Sequence, residues 1–286
     1  FNKGTITNAG TMKVTGAKGV TVGKEVSIAN TGDLTFTDTE AVNFNADYTA
    51  TAGHLVIKSA ANTIYGNITA DSLKFGAANT DLAKETNQVV ITGTTSNTIA
   101  YGSTVDVKAL TVEDAATTIN GTLKAATTAV TDKTTAGLTV VDTTGTTGKK
   151  QYAAVSLGDI TVGSAASGAQ GNTSFTLTNQ AENAVEASSL TVVKNSTTAN
   201  TFALNAGKFS VGKLTNQGKV TLTDGEEFTL TGEGANASGA EITLASSKEY
   251  ASLVVAEGAS LQNQGSITAT DGEGKIYVGG TLTNLP

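Results

Sequence analysis

The sequence predicts an all-β chain wound as a parallel β-helix, with about three short strands in each coil of about 21–23 residues. Three observations favour this fold: strand-forming and turn-forming residues dominate, a corner motif returns at a nearly fixed distance, and apolar residues alternate with polar ones between the corners. The 286 residues include 32 Gly and one Pro, and only 15% are charged. Thr and Val suit a pleated strand surface, whereas Gly and Asn suit turns. The composition therefore predicts many short strands joined by tight corners.

The corner motif reads aliphatic, any residue, Asn, any residue, Gly, any residue, aliphatic. Its Asn and Gly positions are Asn8 and Gly10, Asn30 and Gly32, Asn216 and Gly218, Asn263 and Gly265, and a truncated copy ends the chain at Asn284. Asn8 and Asn30 are 22 residues apart, and Asn263 and Asn284 are 21 apart. We expect these Asn side chains to stack in a hydrogen-bonded ladder at one corner. We also expect Asn and Gly to be selected because both tolerate a left-handed backbone.

The residues between corners fall into apolar pairs spaced by two, as in Val20 and Val22. This spacing turns one face of each strand inward, so Ile6 and Ile28 should face the core. A single coil cannot bury that face, whereas stacked coils can. The alternative is a β-sandwich of hairpins, but such proteins have more Pro and no return at about 22 residues.

The whole chain, 1–286, is predicted to be a single β-solenoid, with a weak break or loop insertions near 143–172. Inserted loops rich in Gly, Ser, Thr and Asn are predicted at 143–151, 164–172 and 194–200. Two short helices are predicted at 81–86 and 180–187.

Charge and composition exclude several classes of function. The net charge is −7, every basic residue is Lys, and no basic run is longer than two residues, so the sequence predicts no nucleic-acid partner. No apolar run approaches the length of a bilayer span, so we expect no direct membrane insertion. The absence of Cys excludes disulfides and Cys-based metal sites.

Residues 4–11, 214–218 and 261–267 resemble the passenger regions of Gram-negative autotransporters and of filamentous-haemagglutinin-like adhesins. The resemblance covers roughly the first 40 and the last 75 residues and is compositional elsewhere. It implies a secreted right-handed β-helix that is extracellular or held at the cell surface. It also implies two kinds of partner: copies of the chain or further passenger sequence joined end to end, and host or cell-surface glycans or proteins. Clear copies of the repeat near both ends support the expectation of end-to-end association.

No catalytic residue and no cofactor is predicted. His54 is the one histidine, and no nucleophile motif accompanies it. Two acidic turns, Asp224 with Glu226 and Asp271 with Glu273, are weak calcium candidates, although the tandem repeat of calcium-binding β-rolls is absent. The alternative function is a carbohydrate-active β-helix enzyme of the polysaccharide lyase or hydrolase type, which would use clustered carboxylates. The missing Arg disfavours it.

Pairs of Thr separated by one residue recur along the chain, including Thr35 with Thr37, Thr176 with Thr178, Thr221 with Thr223 and Thr268 with Thr270. Such outward Thr arrays resemble those of ice-binding solenoids, although Thr is also an ordinary outward strand residue. The six Tyr are scattered in sequence. The sequence therefore predicts a non-catalytic extracellular surface protein: a structural or adhesive β-solenoid in a fibre, filament or surface layer.

Overall fold

The computed structural model describes residues 1–76, 87–114, 116–130, 135–145, 148–164, 172–194, 199–223, 226–245, 250–270 and 274–286. These residues form thirty strands and no helix. In chain order the strands are β1 (Lys3–Asn8), β2 (Thr11–Thr15), β3 (Val20–Val22), β4 (Glu25–Asn30), β5 (Asp33–Thr37), β6 (Ala41–Phe44), β7 (Tyr48–Thr49), β8 (His54–Ile64), β9 (Ile68–Phe75), β10 (Gln88–Ile99), β11 (Thr104–Val112), β12 (Thr117–Ile119), β13 (Thr122–Val130), β14 (Thr135–Val140), β15 (Thr143–Thr144), β16 (Lys150–Gln151), β17 (Ala154–Ser156), β18 (Asp159–Val162), β19 (Ser174–Asn179), β20 (Val185–Val192), β21 (Thr201–Ala206), β22 (Lys208–Asn216), β23 (Lys219–Leu222), β24 (Glu227–Asn236), β25 (Glu241–Ala245), β26 (Ala251–Val255), β27 (Ser260–Asn263), β28 (Ser266–Thr270), β29 (Gly274–Val278) and β30 (Thr281–Asn284).

The chain divides into two compact units. Unit 1 comprises Phe1–Ala126 and Val141–Ala154, and unit 2 comprises Thr127–Val140 and Val155–Pro286. In each unit, neighbouring strands pair parallel with their counterparts one coil away. The predicted fold class, an all-β parallel solenoid, is confirmed. The prediction of one solenoid over the whole chain stays a prediction.

Unit 1 stacks its strands in register. β1 pairs with β4 so that Ile6 lies beside Ile28 and Asn8 beside Asn30. β2, β5 and β8 follow one another with Leu34 beside Leu55. Ile6 is buried and Ile28 is half-buried. Identical inward positions thus repeat from coil to coil, as the apolar pairing predicted.

One strand of unit 1 lies out of sequence order. The first half of β10 pairs with β8 on one side and with β9 on the other, so Gln88 lies between His54 and Ser72. β11 then pairs with β9 along both of its halves. The chain therefore inserts a strand between two coils that precede it, which no period in the sequence indicates.

Unit 2 has three faces. The ladder face contains β18, β27, β30 and the C-terminal halves of β20, β22 and β24. The threonine face contains β14, β19, β21, β23, β25 and β28. The third face contains the N-terminal halves of β20, β22 and β24, followed by β26 and β29.

The core of unit 2 is a stack of aromatic and aliphatic side chains. Phe202 lies between Phe175 and Phe209, with ring centroids 5.9 and 5.1 Å away, and Phe228 lies 5.4 Å from Phe209. All four rings are fully buried. Phe175 and Phe202 are partners on adjacent strands, as are Phe209 and Phe228, and because such positions lie about 4.8 Å apart the rings of each pair pack against each other.

Two predictions of local structure need correction or fall outside the described residues. The helix predicted at 180–187 is wrong: residues 181–183 bend, and β20 begins at Val185 because Val185, Ala187 and Leu190 face the core in a strand pattern. The helix predicted at 81–86 lies outside the described residues. The loop predicted at 143–151 contains a short antiparallel pair, β15 with β16. The loops predicted at 164–172 and 194–200 lie largely outside the described residues.

Candidate functional site

An amide ladder runs along one corner of unit 2. Asn216 Nδ2 donates to Asn236 Oδ1 at 2.8 Å, Asn236 to Asn263 at 2.7 Å, and Asn263 to Asn284 at 2.9 Å. The second hydrogen of Asn216 Nδ2 goes to the carbonyl of Glu241, and that of Asn236 goes to Ser266. Asn216 and Asn236 are fully buried. Asn216 and Asn236 therefore each bond to both a side chain and a backbone carbonyl of the next coil, whereas Asn263 bonds to the side chain of Asn284.

Asn236 is the rung that the corner motif does not reveal. Gly234, not an aliphatic residue, precedes it, and the following glycine is Gly239. The only sequence signal is the gap of about two periods between Asn216 and Asn263. Coil length also varies along this ladder, with successive rungs 20, 27 and 21 residues apart. The spacing of about 21–23 residues is thus an average and not a rule.

A shorter ladder occupies a corner of unit 1. Asn8 Nδ2 donates to Asn30 Oδ1 at 2.8 Å, and Asn30 Nδ2 donates to the carbonyl of His54 and to the hydroxyl of Tyr48. Burial raises the pKa of Tyr48, while the hydrogen bond from Asn30 acts in the opposite direction. The ladder therefore ends against a buried phenol in place of a third amide.

The glycines of the motif serve packing and not backbone conformation, which corrects the prediction. None of Gly10, Gly32, Gly218 and Gly265 has a positive φ. Instead, the Gly32 and Gly218 amides donate to Oδ1 of the Asn two residues before. A Cβ on Gly32 would overlap the carbonyl oxygen of Gly10, and one on Gly265 would overlap that of Ala240. Gly32, Gly218 and Gly265 are needed because the preceding coil leaves no room for a side chain, whereas nothing lies within 4 Å of a Cβ built on Gly10.

A second polar ladder in unit 1 went unpredicted. Ser59 donates to Asn62 Oδ1 at 2.8 Å, Asn62 to Asn97 at 3.0 Å, and Asn97 to Asp114 Oδ2 at 2.9 Å. Asn62 and Asn97 are fully buried. Burial raises the pKa of Asp114 despite hydrogen bonds from Thr117, the Ala116 amide and Asn97. A carboxylate suits the end of this ladder because both of its oxygens accept hydrogen bonds: Oδ2 from Asn97, and Oδ1 from the Ala116 amide and the Thr117 hydroxyl.

The four carboxylates predicted as weak calcium candidates include one, Glu226, that lies among the described residues. Asp224, Asp271 and Glu273 lie outside the described residues, and Glu226 is buried directly before β24. Asp38 is a buried carboxylate that caps a turn: its Oδ1 accepts hydrogen bonds from the Glu40 and Ala41 amides, and the bond from Glu40 is the main cause of its lowered pKa. Across the described ranges, no group of three potential ligands could hold a metal ion.

His54 begins β8 and lies one coil above Asp33, with its Nδ1 2.8 Å from the carboxylate Oδ1. The same column continues through Gln88 to Ser72, whose Oγ is buried and has no hydrogen-bond partner among the described residues. Two rungs separate Ser72 from His54, or about 9.6 Å along the column. That distance is too long for the direct proton transfer that a Ser-His-Asp triad needs.

The outward surface of the threonine face carries one continuous column. Thr176, Ala203, Thr221, Thr243 and Thr268 are successive partners on β19, β21, β23, β25 and β28. A neighbouring column contains an ion pair: Lys219, which follows Thr201 in this column, lies 3.0 Å from Glu241 and lowers the pKa of Glu241. Ala203 and this charged pair interrupt the regular hydroxyl array that an ice-binding surface would need.

Three half-exposed tyrosines share one corner of unit 1, which we call the tyrosine corner: Tyr65, Tyr101 and Tyr152. Their exposed fractions are 51%, 50% and 50%. The Tyr65 amide donates to the Phe44 carbonyl and the Ala100 amide donates to the Ile64 carbonyl, so Ala100 is the counterpart of Tyr65 on the next rung and Tyr101 follows it by one residue. Their sequence positions do not reveal this arrangement, because 36 residues of coil and inserted strand separate them.

Tyr152 joins the corner from a later coil. The Asn120 amide donates to Ile99, and the Ala154 amide donates to Gly121, so Tyr152 lies two rungs beyond Tyr101. Lys150 Nζ lies 5.5 Å from the Tyr152 ring centroid and 3.4 Å from Asp142 Oδ2.

The comparisons with known proteins identify no relative: no family model, no curated protein and no solved structure matches the chain. Within the residues that the structure covers, no helix has the length and apolar character of a membrane span.

Proposed function

We propose that the chain is a non-catalytic structural or adhesive β-solenoid of an extracellular fibre or surface layer. The observation that carries this proposal is that the repeated Asn residues hold neighbouring coils together. Asn216, Asn236 and Asn263 face inward at a corner and join coils, which is a structural task. Building a rod by repetition creates long outward faces without requiring a pocket.

The outward faces support the same proposal. They carry short hydroxyl side chains and ion pairs between coils, such as Lys219 with Glu241 and Lys3 with Glu25. Exposed pairs of this kind contribute about 0–1 kcal/mol each and keep a surface hydrated. A surface of this type suits contact with large partners more than chemistry on a small substrate.

Protease shaving of intact producer cells tests the location. We expect the chain to be cleaved from unbroken cells while a cytosolic marker stays intact. Protection of the chain until the cells are lysed contradicts an extracellular location.

A glycan screen tests the absence of catalysis. Purified chain is incubated with neutral and acidic polysaccharides, with and without calcium, and reducing ends and unsaturated products are measured. We expect no turnover. Turnover that is lost in Glu226→Gln, but retained in a matched exposed variant, Glu233→Gln, would favour the carbohydrate-active enzyme instead.

A further inference from the structure

Two neighbouring coils of unit 2 carry opposite charges at matching positions. The earlier coil contains β22 and β23, and the later coil contains β24 and β25. On each of the three faces, a Lys of the earlier coil is the direct strand partner of a Glu of the later coil. The three pairs, which we call the ionic girdle, are Lys208 with Glu227 on the third face, Lys213 with Glu233 on the ladder face, and Lys219 with Glu241 on the threonine face.

The rungs on either side of the ionic girdle are neutral. The strand partners that follow its three Glu residues are all Ser, namely Ser252, Ser260 and Ser266. Ser189 precedes Lys213, and Thr201 precedes Lys219. Among the strand pairings of unit 2 that the structure describes, no other rung joins a Lys to an acidic residue. Opposite charges therefore meet at one joint between coils and on all of its faces.

We propose that the ionic girdle is a salt-sensitive joint that fixes which two coils of unit 2 stack on each other. Coils of a solenoid share one strand pattern, so apolar positions alone do not distinguish the correct neighbour from a coil further along or from a coil of a second chain. Opposite charges on partner positions favour pairing, and like charges oppose it. Skipping the later coil would place Lys opposite Ser, and pairing two earlier coils would place Lys opposite Lys. The inference is independent of the proposed function.

The pair on the threonine face shows the contact in detail. Lys219 Nζ lies 3.0 Å from Glu241 Oε2, and the two side chains are 50% and 36% exposed. The Thr243 hydroxyl donates to Glu241 Oε1 at 3.2 Å. In the same way, the Thr229 hydroxyl donates to Glu227 Oε1 at 3.3 Å. Because these groups reach solvent, dissolved salt should screen the attraction across the joint.

Hydrogen exchange of single backbone amides in the whole chain tests the inference. The amides of Ala237 and Glu241 donate across the girdle joint, whereas those of Gln217 and Lys219 donate across the preceding joint. Raising the salt from about 0.01 M to about 1 M should speed exchange at the two girdle amides about eightfold, a factor of about two for each pair. Exchange at the two preceding amides should change by less than about twofold. A girdle joint that responds to salt no more than the preceding joint overturns the inference.

Neutral variants locate the salt response. The triple variant Lys208→Gln/Lys213→Gln/Lys219→Gln should exchange about eightfold faster at the two girdle amides in low salt and should lose most of its salt response. Lys213→Glu, which places two carboxylates on adjacent rungs, should also speed exchange there. Adding Glu233→Lys restores an opposite pair and should restore slow exchange. Failure of this exchange of charges to restore protection contradicts the role of the pair.

Three Lys of unit 1 supply the matched control. Lys13→Gln/Lys18→Gln/Lys24→Gln changes the net charge by the same amount, and the strand partner of Lys13 is neutral Thr35. This variant should exchange at the girdle amides as the parent does, and circular dichroism should show that every variant is folded. Equal acceleration in the control would assign the effect to net charge and overturn the inference. Equal acceleration at all joints of unit 2 in the girdle variant would overturn it as well.

Discussion

Replacing Asn236 by Ala tests whether the amide ladder holds the coils of unit 2 together. Asn236 makes three hydrogen bonds: it accepts from Asn216 at 2.8 Å and donates to Asn263 at 2.7 Å and to the Ser266 carbonyl at 3.1 Å. At about 0.5–1.5 kcal/mol each, these bonds sum to about 1.5–4.5 kcal/mol. In the variant, one amide hydrogen of buried Asn216 and Oδ1 of buried Asn263 would lose their partner, so we expect a loss in the upper half of this range, about 3–4 kcal/mol.

The chain supplies a matched control at the end of the same ladder. Asn284 is exposed and accepts one hydrogen bond, from Asn263 at 2.9 Å. Water can replace this bond, so Asn284→Ala should cost about 1 kcal/mol or less. Urea unfolding followed by circular dichroism and by Tyr fluorescence measures both variants, and coincident transitions establish that two-state free energies apply. Equal losses in the two variants would refute the assignment of the ladder as the bond between coils.

The substitution Asn236→Asp separates the effect of side-chain size from the effect of the amide hydrogen-bond donors. The new carboxylate keeps the size of the side chain and accepts from Asn216, but it repels Oδ1 of Asn263. Protonation restores a donor, so the folded state should hold that proton more tightly than the unfolded chain. The stability deficit should therefore shrink as pH falls through the raised pKa of the folded state. A deficit that does not change with pH contradicts this account.

Two further predictions concern unit 1. Gly32→Ala should lower the free energy of unfolding by about 2–3 kcal/mol because its Cβ would overlap the Gly10 carbonyl. Gly10→Ala should change it by less than about 0.5 kcal/mol because nothing lies within 4 Å of the new Cβ. Urea unfolding compares the two variants, and similar losses would contradict the packing role. Because burial raises the pKa of Asp114 above the usual pKa of an Asp side chain, the folded protein binds this proton more tightly than the unfolded chain. Stability should therefore fall as pH rises from the usual pKa through the raised pKa. Asp114→Asn should remove this part of the pH dependence in a urea titration series, and an unchanged slope would assign it to other groups.

The sequence predicted the fold class because its signals are local. Apolar residues two apart define an inward strand face, and the Asn-x-Gly corner defines where a strand ends. Both signals act within a few residues, so the pairing of Ile6 and Asn8 with the same residue types in the next coil follows from the sequence. The same local signals failed at residues 180–187, where an Ala-containing segment suggested a helix. Residues 181–183 bend instead, and pairing with the neighbouring coil makes Val185 the start of β20.

The reason for the corner glycines required the tertiary structure. A Gly that serves a positive φ and a Gly that makes room for a neighbouring backbone look identical in sequence. Only the position of Gly10 beneath Gly32 shows that space, not conformation, is the constraint. The turn cap at Asp38 is similar, since its role follows from the Glu40 and Ala41 amides that surround its Oδ1.

The sequence by itself determined a parallel stack of short strands with amide corners. The tertiary structure alone decided which residues share a rung. Asn236 completes a ladder, Gln88 lies between His54 and Ser72, and Ile99 lies beside Ile64. The physical reason is that paired residues one rung apart are separated by as few as 18 positions, for Thr201 and Lys219, and by as many as 39, for Thr135 and Ser174. One strand also inserts out of order, so distance along the chain does not fix distance in space.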